Sequence, residues 1–260
     1  NELAILNDKY FLPYITAVRA AMDSKNWREP QKALDAIAAY QQQFGGAVMI
    51  SPNKINMEIL LNKMNVFSTL GKYYGLLGVM ILILFFALIF NPSIPSKWPL
   101  IVASGSLGIC FLFHAIGLGL RWYVSGRAPW SNGYESMIYI AFTTVLSGLL
   151  FSRKSLGGLA ATAILASTIL MVAGLSWMDP EITPLVPVLK SYWLTIHVSM
   201  EAGSYGFLTL GALIGVLNLV LMTMTTANNK ERIVRTINEL TLTSEITLIA
   251  GLFIISIGTY

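Results

Sequence analysis

The sequence predicts an all-α polytopic membrane protein, with about six transmembrane helices preceded by a short helical extramembrane segment. Three observations carry that prediction. Hydrophobic residues make up 55% of the chain and charged residues only 12%, with a mean hydropathy of +0.65; a water-soluble domain carries about a quarter charged residues. Six apolar stretches follow one another to the last residue: Tyr73–Phe90, Trp98–Leu120, Tyr134–Phe151, Leu156–Met178, Trp193–Met224 and Leu240–Tyr260. Each has the roughly 17–25 mostly apolar residues that carry a helix across about 30 Å of hydrocarbon, the fifth running longer. Inside lipid every backbone amide needs a partner within its own segment. The roughly ten-residue alternation of a spanning barrel is missing, so the stretches read as helices.

Residues 1–69 read as a helical soluble segment and residues 70–260 as the transmembrane domain. In the first part Ala33, Ile37, Tyr40 and Phe44 recur at helical spacing, with Pro30 in the first turn and Gly45-Gly46 at the end. Ser51-Pro52-Asn53-Lys54 is a turn signal, followed by a second helix through Ile55, Ile59 and Met64 that leads into the membrane. These stripes read as packing faces. In the second span Gly105, Gly108, Gly117 and Gly119 are expected to allow close helix contact. The single cysteine, Cys110, excludes an intrachain disulfide and a thiolate cluster and reads as apolar filler between helices. The abrupt start at Asn1-Glu2-Leu3 and the end at Ile257-Gly258-Thr259-Tyr260 lead us to expect an internal segment of a longer protein, truncated at its C-terminal end.

Short connections set the orientation. Lys97, Arg153, Lys154, Lys230, Arg232 and Arg235 fall on one side, and Arg121, Arg127 and Lys190 on the other. Six basic residues against three make the first side cytoplasmic by the positive-inside rule. Residues 1–69, 121–133 and 179–192 then lie outside. The net charge of +4 is modest, and no continuous basic patch with interleaved aromatics exists, which argues against nucleic-acid binding.

The first outer loop runs Arg121-Trp122-Tyr123-Val124-Ser125-Gly126-Arg127-Ala128-Pro129-Trp130-Ser131-Asn132-Gly133-Tyr134-Glu135-Ser136. Its aromatic residues suit interface anchoring. Two guanidinium groups, flat rings, a proline turn and Glu135 at the mouth of a span also suit a planar, acidic, amphipathic ligand. Guanidinium groups grip carboxylates bidentately and aromatic planes stack on planar molecules. The second outer loop, Met178 to Trp193, holds three prolines and is expected to form a brief helix along the interface.

That loop feeds span five, where His197 sits about one turn inside the boundary. Glu201, Tyr205 and Leu208 follow at helical spacing, so His197 and Glu201 share a face. An ionisable pair at this depth faces a cavity or another helix, because lipid exposure is costly. Three readings stand for His197: a hydrogen-bonded packing residue, a proton relay, or an axial ligand to haem iron. His114, in span two, either hydrogen-bonds a neighbouring helix or lines the same cavity. Glu245 either reaches water or pairs with Arg235. One histidine cannot build a protein-only zinc site, and without Cys-x-x-Cys-His the chain cannot itself hold a covalently attached c-type haem. Two other function classes remain open, a small-molecule permease lined by Glu201, Arg121 and Glu135, and a structural membrane subunit. The chain lacks the clear internal repeat and paired broken spans of many transporters.

Two strings resemble the cytochrome c assembly family in its system II branch, the fused or two-part Ccs-type cytochrome c synthases. One is Arg121-Trp122 with Arg127-Ala128-Pro129-Trp130-Ser131-Asn132-Gly133-Tyr134-Glu135-Ser136. The other is Leu185-Val186-Pro187 followed by Ser191-Tyr192-Trp193-Leu194-Thr195-Ile196-His197-Val198-Ser199. The resemblance spans roughly residues 70–260 and is loose over residues 1–69. It implies cytochrome c biogenesis in the bacterial cytoplasmic membrane. Haem b would be transported, presented at the outer face, and joined to the Cys-x-x-Cys-His of an apocytochrome c, a haem lyase activity of the holocytochrome c synthase type. It implies His197 as one axial ligand, with Trp193 beside it. Arg121, Trp122, Arg127, Trp130 and Glu135 would form the loop wall. The implied partners are apocytochrome c, thiol-reducing proteins, and the remainder of the synthase: an N-terminal part, and a tryptophan-rich C-terminal part carrying the second histidine.

Overall fold

The computed structural model describes residues 6–46, 49–91, 95, 97–183, 191–227 and 229–260, and no strand occurs among them. Internal contacts divide the chain into two units, Asn1–Ile55 and Asn56–Tyr260. In the first, a wide helical turn at Asn7–Phe11 leads into α1 (Leu12–Ser24), with Pro13 in its first turn, where a missing N–H costs nothing. The spacing predicts the next helix well. α2 (Arg28–Phe44) buries Pro30 in its first turn and ends on Gly45. On its apolar face Tyr40 packs its ring 4.8 Å from those of Tyr10 and Phe44. The turn signal then opens α3 (Pro52–Met64), where the Ser51 carbonyl accepts from Lys54 N at 3.0 Å.

The second unit carries α4 (Val66–Phe90), α5 (Lys97–Ser125), α6 (Gly133–Phe151), α7 (Leu156–Ala173), α8 (Tyr192–Thr223) and α9 (Lys230–Thr259). Six helical stretches are long and apolar enough to cross a membrane; the chain is a multi-pass membrane protein. Several boundaries differ from the apolar stretches for identifiable reasons. α4 starts before Tyr73 because Asn65, at φ 43° and ψ 49°, breaks the path from α3, after which Phe67 and Leu70 are already buried. α9 starts before Leu240 because its polar first turns still bury Ile233.

α7 lies at the centre, with 78% of its span buried against 22% for α5 and α9. Its alanines and glycines make it thin, so α4 and α6 approach closely; small residues serve this purpose where lipid supplies no hydrophobic drive between helices. A Cβ on Gly78 of α4 would lie 2.9 Å from the Ile164 backbone nitrogen. Beside it, Ser167 Oγ donates to the Gly71 carbonyl at 2.8 Å. On the far side of α6, a Cβ on Gly206 of α8 would lie 2.7 Å from Thr144 N. α8 and α9 form a hairpin closed by Ser244 Oγ donating to Gly211 O at 2.8 Å and Asn218 Nδ2 to Thr241 Oγ1 at 3.0 Å.

One sequence expectation needs correction. Of the four glycines in α5 only Gly117 meets another helix, at Val66 and Phe67. A side chain on Gly105, Gly108 or Gly119 would meet nothing within 4 Å among the described residues, because that face of α5 looks out of the bundle beside exposed Ile109, Leu112 and Ile116. Arg235 pairs with Glu239, one turn along its own helix at 3.4 Å, while Glu245 is exposed.

Candidate functional site

The sequence-predicted residues gather at the bundle end formed by the C-terminus of α5 and the N-termini of α6 and α8. Asn132 caps α6, its Oδ1 accepting from Glu135 N at 2.7 Å. An asparagine cap with an acid three residues on is a recognised helix start, and here it fixes where Glu135 projects. The Glu135 carboxylate is fully buried and accepts from three donors: Arg121 Nε at 3.0 Å, Arg127 Nη1 at 2.6 Å and Ser131 N at 2.9 Å. A carboxylate leaves water at tolerable cost only when paired and fully bonded, and this one is.

The arginines reach further. Arg121 Nη1 donates to Pro180 O at 2.9 Å and Nη2 to Glu181 O at 3.3 Å, while Arg127 Nη2 donates to Thr183 O at 3.2 Å. Arg121 also lies over the Tyr134 ring, 5.1 Å from its centroid. Three side chains thus form a clasp between the loop after α5 and the segment after α7. Both guanidinium groups already donate to protein oxygens, so they shape the wall of this region through the clasp. Ser131, Asn132 and the receiving carbonyls were not singled out from sequence. The Asn132–Glu135 spacing was the available signal for the cap; carbonyls some sixty residues away leave none.

A second tie runs through Trp130. Its Nε1 donates to the Thr195 carbonyl at 3.1 Å, and its ring meets Trp122 at 5.5 Å and Tyr139 at 4.7 Å. The bond fixes the first turn of α8, two residues before His197. Further along that helix His197 and Glu201 share a face as the spacing predicts, with Nε2 3.5 Å from Oε2. That separation exceeds an ordinary hydrogen bond, and the side chains are 40% and 36% exposed. Trp193 is 77% exposed and Tyr192 74%. The structure therefore joins Arg121, Arg127 and Glu135 in one cluster and Trp122 with Trp130 in another. It leaves His197 and Trp193 open on α8. The helix expected along the second loop falls largely at residues 184–190, outside the described residues.

His114 belongs elsewhere. It is fully buried, and its Nε2 makes a 3.1 Å hydrogen bond to the Ile138 carbonyl of α6. A carbonyl only accepts, so Nε2 carries the proton and Nδ1 is a bare acceptor, without a partner among the described residues. Phe67, Tyr74 and Phe142 surround the ring. Of the two readings for this residue, the helix-to-helix bond is the one observed.

The sequence profile described as cytochrome C assembly protein matches residues 130–259, from the Trp130 tie through His197 to the end of α9. The chain belongs to the cytochrome c assembly protein family. Among similar proteins, NrfI of Wolinella succinogenes is 42% identical over 230 residues, covering 88% of this chain and 25% of that protein. The cytochrome c biogenesis protein CcsA of Trieres chinensis is 38% identical over 109 residues, 40% of this chain and 35% of the relative. CcsA of Synechococcus sp. strain WH7803 is 38% identical over 121 residues, 45% of this chain and 37% of the relative. The chain therefore spans between a quarter and two-fifths of the length of these relatives.

Proposed function

We propose that this chain is the haem-handling part of a cytochrome c synthase of the system II type. His197 offers one axial ligand to the iron of haem b at the periplasmic face of a bacterial cytoplasmic membrane. The observation that carries the reading is a half-exposed imidazole on α8, next to an open tryptophan, on a helix whose start is pinned by Trp130. The family, and the cytochrome c biogenesis role in the relatives' name, support the same chemistry. Residues 1–69, 121–133 and 179–192 lie on the periplasmic side in this reading.

The residues fit the group they would hold. An imidazole nitrogen is a haem ligand, and Glu201 nearby can orient the ring. Flat Trp193 suits a porphyrin edge. The clasp carries two cations against one carboxylate and holds the wall of the site in shape. Bound haem supplies vinyl groups, and each thioether forms by addition of a cysteine S–H across a vinyl C=C. No atom leaves, so the protein's work is positioning. His197 would fix the iron, the clasp and the Trp130 tie would hold the two loops, and apocytochrome c would approach from the open side. Thiol-reducing proteins and the remaining parts of the synthase would complete the machinery. A permease path along Arg121 and Glu135 has less support, because those two side chains are buried against each other.

The test is maturation in cells. Full-length protein carrying His197→Ala is produced with an apocytochrome c reporter, and haem-stained holocytochrome is measured with and without imidazole in the medium. Loss of holocytochrome with recovery on imidazole supports the assignment; unchanged maturation refutes it.

A further inference from the structure

We propose that a cleft at the opposite end of the bundle binds the phosphate headgroup of an anionic phospholipid. The cleft, about 430 Å³ in volume, lies where the last turns of α4 meet the first turns of α7 and α9. Its chemistry is divided. Phe85, Leu88 and Leu156 supply apolar wall, and Lys154, Arg232 and Arg235 bring three cations to the same opening. Glu239 is the one carboxylate among the described lining residues, and it already pairs with Arg235. Arg232 is anchored by donation from Nη1 to the Ile89 carbonyl at the end of α4. Lys154 is exposed and has no acidic partner among the described residues.

A free inorganic anion would use the cations and leave the apolar wall unused. A lipid uses both, its phosphate among the cations and its chains against half-buried Leu88 and Leu100. Basic pockets between helices at a membrane surface bind anionic headgroups in this way. By the charge count on the short loops this end faces the cytoplasm, so the inner leaflet is the source. None of these residues belongs to the His197 site, and the assignment stands independently of the haem reading. Bound there, the lipid would link the ends of three helices and stabilise the bundle.

Purified, delipidated full-length protein tests this. Phosphatidylglycerol or phosphatidylcholine is added in micelles, bound lipid is counted by native mass spectrometry, and thermal unfolding is followed in parallel. Phosphatidylglycerol is retained and raises the melting temperature, and phosphatidylcholine does neither. Lys154→Gln and Arg235→Gln each weaken retention about fivefold, and about 25-fold together. Arg153→Gln, next to Lys154 but outside the cleft, leaves retention unchanged. Equal retention of both lipids, an equal loss in Arg153→Gln, or full displacement by inorganic phosphate would each overturn the proposal.

Discussion

Replacing Glu135 by glutamine tests the clasp with the smallest change of shape. The carboxylate has no exposed surface and holds two guanidinium groups, whose side chains are 5% and 13% exposed. Glutamine keeps the size but removes the charge, leaving two buried cations with only neutral acceptors. Breaking a buried ion pair from one side costs about 3–5 kcal/mol. Here a neutral oxygen can still accept one bond and Arg127 keeps some access to solvent, so the lower end applies, about 3 kcal/mol. That corresponds to a rise of roughly a hundredfold in the population with the loops apart. A cysteine placed at Ala128, buried in the loop beside Arg127, reports this population through its rate of maleimide labelling. The background variant replaces Cys110, the one cysteine in these 260 residues, together with any cysteine elsewhere in the full-length protein. Labelling should accelerate about a hundredfold in Glu135→Gln, and Arg127→Ala should add little once Glu135 is changed, because the two act together. Labelling that stays slow, with full additivity, would show that the clasp does not hold the loops.

Three further outcomes follow from the packing and the charge count. Gly206→Ala should lower thermal stability in detergent by about 1–3 kcal/mol, since its methyl would meet Thr144 N at 2.7 Å; Gly119→Ala, with open space around it, should be neutral. Tyr74→Phe should be neutral or stabilising, because the buried hydroxyl has no partner among the described residues, whereas His114→Leu loses the bond to Ile138 and should cost about 1 kcal/mol in the same assay. Impermeant labelling of single cysteines at Asp179 and Arg153 in intact cells should mark the first and spare the second; the reverse pattern would invert the orientation.

Much of the fold was legible because the bilayer imposes a length and a composition on each span, and all six stretches became helices. Boundaries were less legible where local geometry overrides hydropathy. Asn65 in a left-handed conformation and the polar start of α9 carry no hydropathy signal. Glycines show that a close approach is possible and not where the partner lies, which is why Gly117 packs and Gly105 does not. In the candidate site, the helical spacing of His197 and Glu201 gave their shared face directly. Arg121, Arg127 and Glu135 were legible as chemistry, two cations and an acid near flat rings. Their partners were not, because the carbonyls of Pro180, Glu181 and Thr183 come together with them only through the tertiary fold.

The most direct measurement on the central claim is the absorption spectrum of the purified full-length protein. With His197 on the iron, the Soret band weakens or shifts in His197→Ala and returns when imidazole is added to the purified variant. An identical spectrum with and without the His197 side chain, indifferent to imidazole, would contradict it.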